Sequence, residues 1–300
     1  MLGKQTFAIF STLLMLLLAG CRPAAAGRGK MQVVCGLPPV AFIAAQLCGD
    51  KAEISSMLPE GRSPHDYSPR PVDIRNAGTA KFFFTTGMNF ENSAVRALPD
   101  KVEIVDVSKH IRRRRFDDGH GSCDGHGHAH HHDDETALDP HVWLSPGNAE
   151  AIAAVILKSL VAADPDNKSY YQRNFELFKD KLSVIDADMK KRLAPYAGRE
   201  FLVYHPAFGY FADAAGLRQH PLEINGREMT AVQLANVISK AQKENIKVVF
   251  VQKQFNPRTA GELARRINGR ALPLDPLAFD LLENFKAMTG AIAEGFGGER

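Results

Sequence analysis

Short apolar runs alternate with stretches of helical periodicity along most of this chain. Residues 31–35 are mostly apolar and end at Gly36 and Pro38-Pro39, and 40–47 then carry apolar positions at helical spacing until Gly49 stops them. This strand-then-helix unit recurs. Residues 53–58 read as a strand, a loop rich in proline and glycine follows, and 72–78 read as a helix, 81–85 as a strand, 90–98 as a helix and 102–107 as a strand. Alternation at this spacing predicts parallel strands with crossover helices, not a β-sandwich.

Residues 146–163 form the next helix, with Ser145 as its N-cap and Pro146 at its first position. A longer periodic segment, 167–195, spaces Tyr171, Phe175, Phe178, Leu182, Ile185, Met189 and Leu193 by threes and fours. One helix of about 26 residues would reach roughly 39 Å, the width of a domain, and is expected to be the backbone between two lobes. The second half repeats the first: 200–204 strand, 209–215 helix, 230–245 helix, 247–251 strand, 259–267 helix, 271–274 strand, then a closing helix with Phe279, Leu282, Phe285, Met288, Ile292 and Phe296 on one face. The expected fold is therefore α/β: two lobes with mostly parallel sheets joined by one long helix, with a cleft between them. The N-terminal lobe spans 31–166, the linking helix 167–196 and the C-terminal lobe 197–300.

Composition agrees with two packed lobes. Of 300 residues, 45% are hydrophobic and 24% charged, enough to bury two cores of about 120 residues each. A formal net charge of +3 without basic stripes among aromatics gives no reason to expect a nucleic-acid partner. The one basic run, Arg112-Arg113-Arg114-Arg115, reads as a solvated loop.

The first twenty residues read as an export signal. Lys4 supplies positive charge, 7–19 is a mostly apolar core too short to span a bilayer, and Leu18-Ala19-Gly20-Cys21 closes it. That ending resembles the lipobox of bacterial lipoproteins, which implies that Cys21 is acylated and anchors the mature protein, with 21–30 as a flexible tether. Of the remaining cysteines, Cys35 and Cys48 read as packed apolar residues and Cys123 lies in a histidine-rich tract, so no disulfide framework emerges.

Four residues stand out in this layout: His65 in the loop after the 53–58 strand, His141 before the 146–163 helix, His205 after the 200–204 strand and Asp275 after the 271–274 strand. In open α/β sheets ligands bind beyond the carboxyl ends of the strands, so these loops should face one crevice. Three neutral imidazoles and a carboxylate match the tetrahedral preference of Zn²⁺. Each histidine has a proline for a neighbour, in Ser63-Pro64-His65, Asp139-Pro140-His141 and His205-Pro206, and proline restricts the backbone on both sides of the bond it enters.

Here the chain resembles a known family, the metal-specific substrate-binding proteins of bacterial ABC importers for zinc and manganese. The resemblance runs through Leu58-Pro59-Glu60-Gly61-Arg62-Ser63-Pro64-His65-Asp66-Tyr67, Asp139-Pro140-His141-Val142-Trp143-Leu144 and Tyr204-His205-Pro206-Ala207-Phe208, then through Phe250-Val251-Gln252-Lys253-Gln254-Phe255 and Leu274-Asp275-Pro276-Leu277. It implies His65, His141 and His205 as metal ligands and Asp275 as a carboxylate fourth ligand. It also implies a zinc receptor outside the cytoplasmic membrane, periplasmic or on the cell surface, that serves an ABC permease and its ATPase. A monomer is expected. Because manganese-type members usually place a carboxylate at the His205 position, the resemblance implies Zn²⁺ over Mn²⁺. Two positions depart from the pattern: Gln252 stands where glutamate is common, and Phe279 where the closing helix usually has tyrosine.

Residues 117–135 hold six histidines (His120, His126, His128, His130, His131, His132), six acidic residues and four glycines, too little apolar content to pack. The tract reads as an auxiliary loop that holds ions weakly, and zinc-type members of the family often carry one at this place. His110 and His220 read as structural. Two other functions remain open at this stage. A zinc hydrolase also uses three protein ligands, but it needs an open position and a general base, and no His-Glu-x-x-His segment exists. A periplasmic metal buffer would need neither the lipid anchor nor a two-lobed cleft.

Overall fold

The computed structural model describes residues 30–116, 138–224, 227–228, 230–254 and 257–297. The signal segment, Cys21, Cys123 and the histidine-rich tract lie outside them. All the elements fall in the unit Met31–Arg300.

The first half forms a sheet of four parallel strands, β1 (Met31–Cys35), β2 (Ala52–Ser56), β3 (Phe82–Thr85) and β4 (Glu103–Asp106), in the order β2-β1-β3-β4. Helices α1 (Pro38–Cys48), α2 (Pro71–Ala77) and α3 (Asn89–Val95) make the crossovers. The central strands are covered on both faces, which is why they read as unbroken apolar runs: Phe82, Phe83 and Phe84 are all fully buried. The edge strand β2 leaves alternate residues to solvent, and edge strand β4 exposes every residue except the partly buried Val105.

Two helices link the halves. Helix α4 (Pro146–Ala163) starts where predicted, with Ser145 Oγ accepting the Asn148 N–H at 3.2 Å and Pro146 in its first turn. Helix α5 (Lys168–Leu193) is 26 residues long and buries Tyr171, Phe178, Leu182, Ile185, Met189 and Leu193 in one stripe. On one side this stripe packs against α1 and α4, and on the other against α6 (Gly209–Ala215) and the closing helix α9 (Leu281–Gly297). A single rod thus serves the cores of both halves.

The second half builds its own parallel sheet from β5 (Glu200–Val203), β6 (Arg218–Pro221), β9 (Val248–Gln252) and β10 (Arg270–Leu274), in the order β10-β9-β5-β6. A two-residue ribbon, β7 (Glu223–Ile224) with β8 (Arg227–Glu228), precedes helix α7 (Ala231–Lys243), and α8 (Pro257–Arg266) joins β9 to β10. Strand β6 and the ribbon escape prediction. Arg218-Gln219-His220-Pro221 has no apolar run, because β6 is an edge strand whose pairing with β5 rests on backbone bonds.

The halves also meet through polar contacts. The buried Trp143 Nε1–H donates to the Pro276 carbonyl at 2.7 Å, and the Tyr210 hydroxyl donates to the Asp139 carbonyl at 3.0 Å. Arg114 Nε reaches Asp213 Oδ2 at 2.9 Å. This corrects the reading of Arg112–Arg115 as a solvated run at its two central residues, while Arg112 and Arg115 are exposed. Arg113 donates to the Thr86 carbonyl at 2.9 Å and to Ser108 Oγ at 2.6 Å, and Arg114 is held half-buried by carboxylates on both sides.

Burial along α5 sets a clear expectation. Truncating Phe178, 1% exposed, to alanine should cost about 3–5 kcal/mol, whereas Val184→Ala at a position 70% exposed should stay within about 0.5 kcal/mol. Denaturant unfolding of the two variants measures the difference, and equal losses would contradict the packing described.

Candidate metal centre

Each site histidine stands where the local chain has little freedom. Pro64 precedes His65 in the loop after β2, Pro140 precedes His141 just before α4, and Pro206 follows His205 beyond the end of β5. The three rings converge. His65 Nε2 lies 3.2 Å from His141 Nε2 and 3.0 Å from His205 Nε2, and the three nitrogens lie within 4.8 Å of one another.

The far sides of two rings explain this convergence. His141 Nδ1 is 2.9 Å from Asp139 Oδ1, and His205 Nδ1 is 3.2 Å from Glu223 Oε2. A carboxylate can only accept, so each Nδ1 carries the proton and each Nε2 presents a bare lone pair. Lone pairs aimed at one another are repulsive unless something positive sits between them. Three neutral imidazoles are the donor set that borderline Zn²⁺ prefers, so the residues fit such an ion.

Asp139 is itself held from three directions. Its Oδ1 also accepts the His141 backbone N–H at 2.9 Å, and its Oδ2 is 3.1 Å from Arg114 Nη1. The Tyr210 hydroxyl takes its carbonyl. Gly209 allows this approach, since a Cβ there would fall 1.8 Å from Arg114 Nη1 and 2.9 Å from Asp139 Oδ2. On the other side Gln252, fully buried, clamps the backbone of His205: its Oε1 accepts the His205 N–H at 3.2 Å and its Nε2 donates to the His205 carbonyl. The departure from glutamate at this position therefore has a structural use, because an amide can both donate and accept where a carboxylate could only accept.

His65 is partly open to solvent, but its ring is desolvated within the cluster, and this, followed by the neighbouring imidazoles, pushes its pKa down to about 2. His141 is also lowered, chiefly by burial, with Asp139 opposing the shift. The rings of Trp143 and Phe116 lie 5.5 and 6.0 Å from that of His141 and keep it from bulk water. The space that remains is small: about 10 Å³, lined by Ser63, Pro64, His65, His141, His205, Gln254, Pro276 and Leu277. That volume holds one water molecule or one ion.

Of the four ligands expected from sequence, the structure brings three together and leaves Asp275 outside the cluster. Asp275 Oδ1 accepts the Leu277 N–H at 3.0 Å, and Oδ2 pairs with Lys253 Nζ at 3.2 Å. The six tract histidines lie outside the described residues. Cys35 and Cys48 are buried free thiols, and burial raises the Cys35 pKa and lifts that of Cys48 to about 12, so both are inert packing residues. Phe279, in place of the usual tyrosine, is largely exposed and packs its edge on Phe42 with ring centroids 5.6 Å apart. His220 lies 3.7 Å from Glu200, away from the cluster.

Sequence reasoning missed Glu223, Arg114, Gly209 and Gln254. The only signal for Glu223 was an acid close behind the His220-Pro221 pair. Arg114 stood in the basic run and Gln254 in the 250–255 segment, but nothing singled either out, and nothing marked Gly209.

Comparison with known proteins agrees with this geometry. Residues 33–295 match the family described as zinc-uptake complex component A, periplasmic. The chain is 31% identical over 255 residues to the high-affinity zinc uptake system protein ZnuA of Bacillus subtilis (strain 168), covering 83% of this chain and 79% of that protein. It is 27% identical to the manganese ABC transporter substrate-binding lipoprotein PsaA of Streptococcus mitis, covering 87% and 85%. Among solved structures, the crystal structure of ZnuA superposes with a TM-score of 0.80 at 28% identity over 89% of this chain and 99% of that one. A zinc-bound ZnuA with residues 138–173 of its own numbering deleted gives 0.79 at 28% identity, covering 89% and 98%.

The shifted histidines bear on stability. In metal-free protein both His65 and His141 have folded-state values below the ordinary 6.5, so below that pH the unfolded chain takes up protons that the folded chain refuses. Their contribution is complete above pH 6.5 and drains away as the pH falls toward the folded-state values. Chelator-stripped protein should therefore lose stability steadily from pH 7 to pH 5, and His141→Asn should flatten that slope. A denaturant midpoint that ignores pH over this range would contradict the burial of neutral rings.

Proposed function

We propose that this chain, which belongs to the family of periplasmic zinc-uptake complex components A, binds one Zn²⁺ through His65, His141 and His205. It is a zinc-binding receptor of ABC-type uptake, acting outside the cytoplasmic membrane. The ion is its cargo. One observation carries the ligand assignment: three imidazole Nε2 atoms meet at a point, with the Nδ1 atoms of two of them engaged by Asp139 and Glu223.

The cavity argues for carriage over catalysis. The space among the rings, about 10 Å³, is matched to an ion, as suits a site built to hold its cargo. A buffer built on the histidine-rich tract would not need ligands drawn from both halves of the fold. In this reading the tract, with His120, His126, His128, His130, His131 and His132, is an auxiliary weak collector. Cys21 is acylated and tethers the receptor beside its permease and ATPase, and the receptor works as a monomer.

Relatives include zinc and manganese proteins, so metal choice is the informative test. Imidazole nitrogen favours zinc, and the divalent affinity order favours it again. In protein lacking residues 117–135, one tight zinc site should survive while the total stoichiometry drops. Competition titration should show manganese binding orders of magnitude more weakly. His205→Ala should cost orders of magnitude in zinc affinity, and His205→Glu should narrow the gap between the metals. Equal affinity for both metals in the loop-deleted protein would sink the zinc assignment.

The anchor is tested separately. Cys21→Ala should release the protein from the membrane fraction without changing its zinc affinity, and a variant that still sediments with membranes would rule out acylation at Cys21 as the tether.

A further inference from the structure

Gln254 lies two residues beyond the end of β9, next to the centre but outside its histidine motifs. Its side chain lines the same 10 Å³ cavity as His65, His141 and His205. Its Oε1 is buried and has no hydrogen-bond partner among the described residues. An amide oxygen left so is costly, and a native structure has a reason for such a group.

The other end of the amide is accounted for. Gln254 Nε2 faces Asp275 Oδ1 at 3.4 Å. Of the two orientations the amide could take, only this one avoids setting oxygen against a carboxylate, and it directs Oε1 away from Asp275. Asp275 has both oxygens engaged elsewhere, Oδ1 by the Leu277 N–H and Oδ2 by Lys253. It also lies outside the histidine cluster, so to reach the ion directly it would have to move.

We infer that the side-chain carbonyl of Gln254 is the fourth donor of the centre, and that Asp275 acts through Gln254, as a positioning residue, instead of ligating the ion itself. The inference rests on the zinc reading above. With it, each half of the fold contributes two donors: His65 and His141 from the first, His205 and Gln254 from the second. The oxygen site of a tetrahedral zinc ion is then filled by protein, and water is excluded from the ion.

Exclusion of water gives a readout that a structural role would not move. Water on a divalent ion of this kind ionises near neutral pH. The visible spectrum of the Co²⁺-loaded wild-type protein should therefore be constant from pH 6 to pH 9. Gln254→Ala admits water to the fourth position, so its Co²⁺ spectrum should titrate in that range, and its zinc affinity should fall by about 10–100-fold. In metal-free Gln254→Leu the unfolding midpoint should hold or rise, because an unsatisfied buried oxygen has been removed. Asp275→Asn should weaken zinc binding in the wild-type background and have little further effect in the Gln254→Ala background.

A wild-type spectrum that already titrates would overturn the inference, and so would unchanged zinc affinity in Gln254→Ala. An Asp275→Asn loss of equal size in both backgrounds would do the same, by making the carboxylate a direct ligand. His141→Ala separates this from failure of the zinc reading. If His141→Ala abolishes tight binding while Gln254→Ala does nothing, only the fourth donor is wrong, whereas tight binding that survives His141→Ala removes the centre altogether.

Discussion

Three imidazole Nε2 atoms gathered within 4.8 Å of one another, that of His65 lying 3.2 Å from His141 and 3.0 Å from His205, are the constraint on which the rest of this structure depends. Left alone, such rings would rotate apart or take up protons. Neither escape is open here. Asp139 and Glu223 face the outer nitrogens of His141 and His205, and burial makes a second proton on His141 costly. The price of that arrangement is carried by the surrounding polar network of Arg114, Tyr210 and Gln252, whose contacts hold the carboxylate or the backbone behind each ring. A cation between the rings relieves the repulsion, and that relief adds to the coordinate bonds it would form.

The scaffold supplies this geometry by an ordinary property of parallel sheets. Strands buried on both faces end in loops on one side, and residues just past those ends face the same crevice. His205 follows β5, Gln254 follows β9, Asp275 follows β10, and Glu223 follows β6. His65 arrives by a longer loop from β2, and His141 from the start of α4. Helix α5 joins the two cores, and the Trp143–Pro276 and Tyr210–Asp139 hydrogen bonds tie the halves beside the centre itself. Binding and interlobe contact are thus not separate features, since Asp139 belongs to both.

What could be read from the sequence follows from the same physics. Strands covered on both faces are apolar runs, so β1, β3, β5 and β9 were legible, and the capped, proline-led α4 was legible to the residue at both ends. Edge strands need no such run: β6 is nearly all polar and went unseen, and with it Glu223, which β6 places behind His205. The three clustered histidines announced themselves through their proline neighbours and motifs. Arg114 could not, because four consecutive arginines look like a solvated run whichever one of them turns inward. The Asp275 motif was legible too, but its partners Lys253 and Leu277 are matters of side-chain packing that no motif reveals. Gln254 lacked the chemistry usually sought in a metal site, and only its buried, unpartnered oxygen marks it.

A donor set of three imidazoles and an amide carries no charge, so the two charges of the ion are met only at one remove, by Asp139 and Glu223 behind the rings. Asp139 divides its charge further with Arg114. Attraction falls with distance, and a carboxylate in direct contact would hold the ion harder than one acting across an imidazole. As a hard oxygen donor it would also bring manganese closer to zinc. Tying Asp275 to Lys253 and Leu277 therefore lowers the grip on the ion and preserves discrimination. For a receptor that must let its cargo go, this balance has a structural counterpart. Two donors stand on each half, so separating the sheets strips the ion of half its ligands at once and leaves no anionic ligand exposed without its own partner.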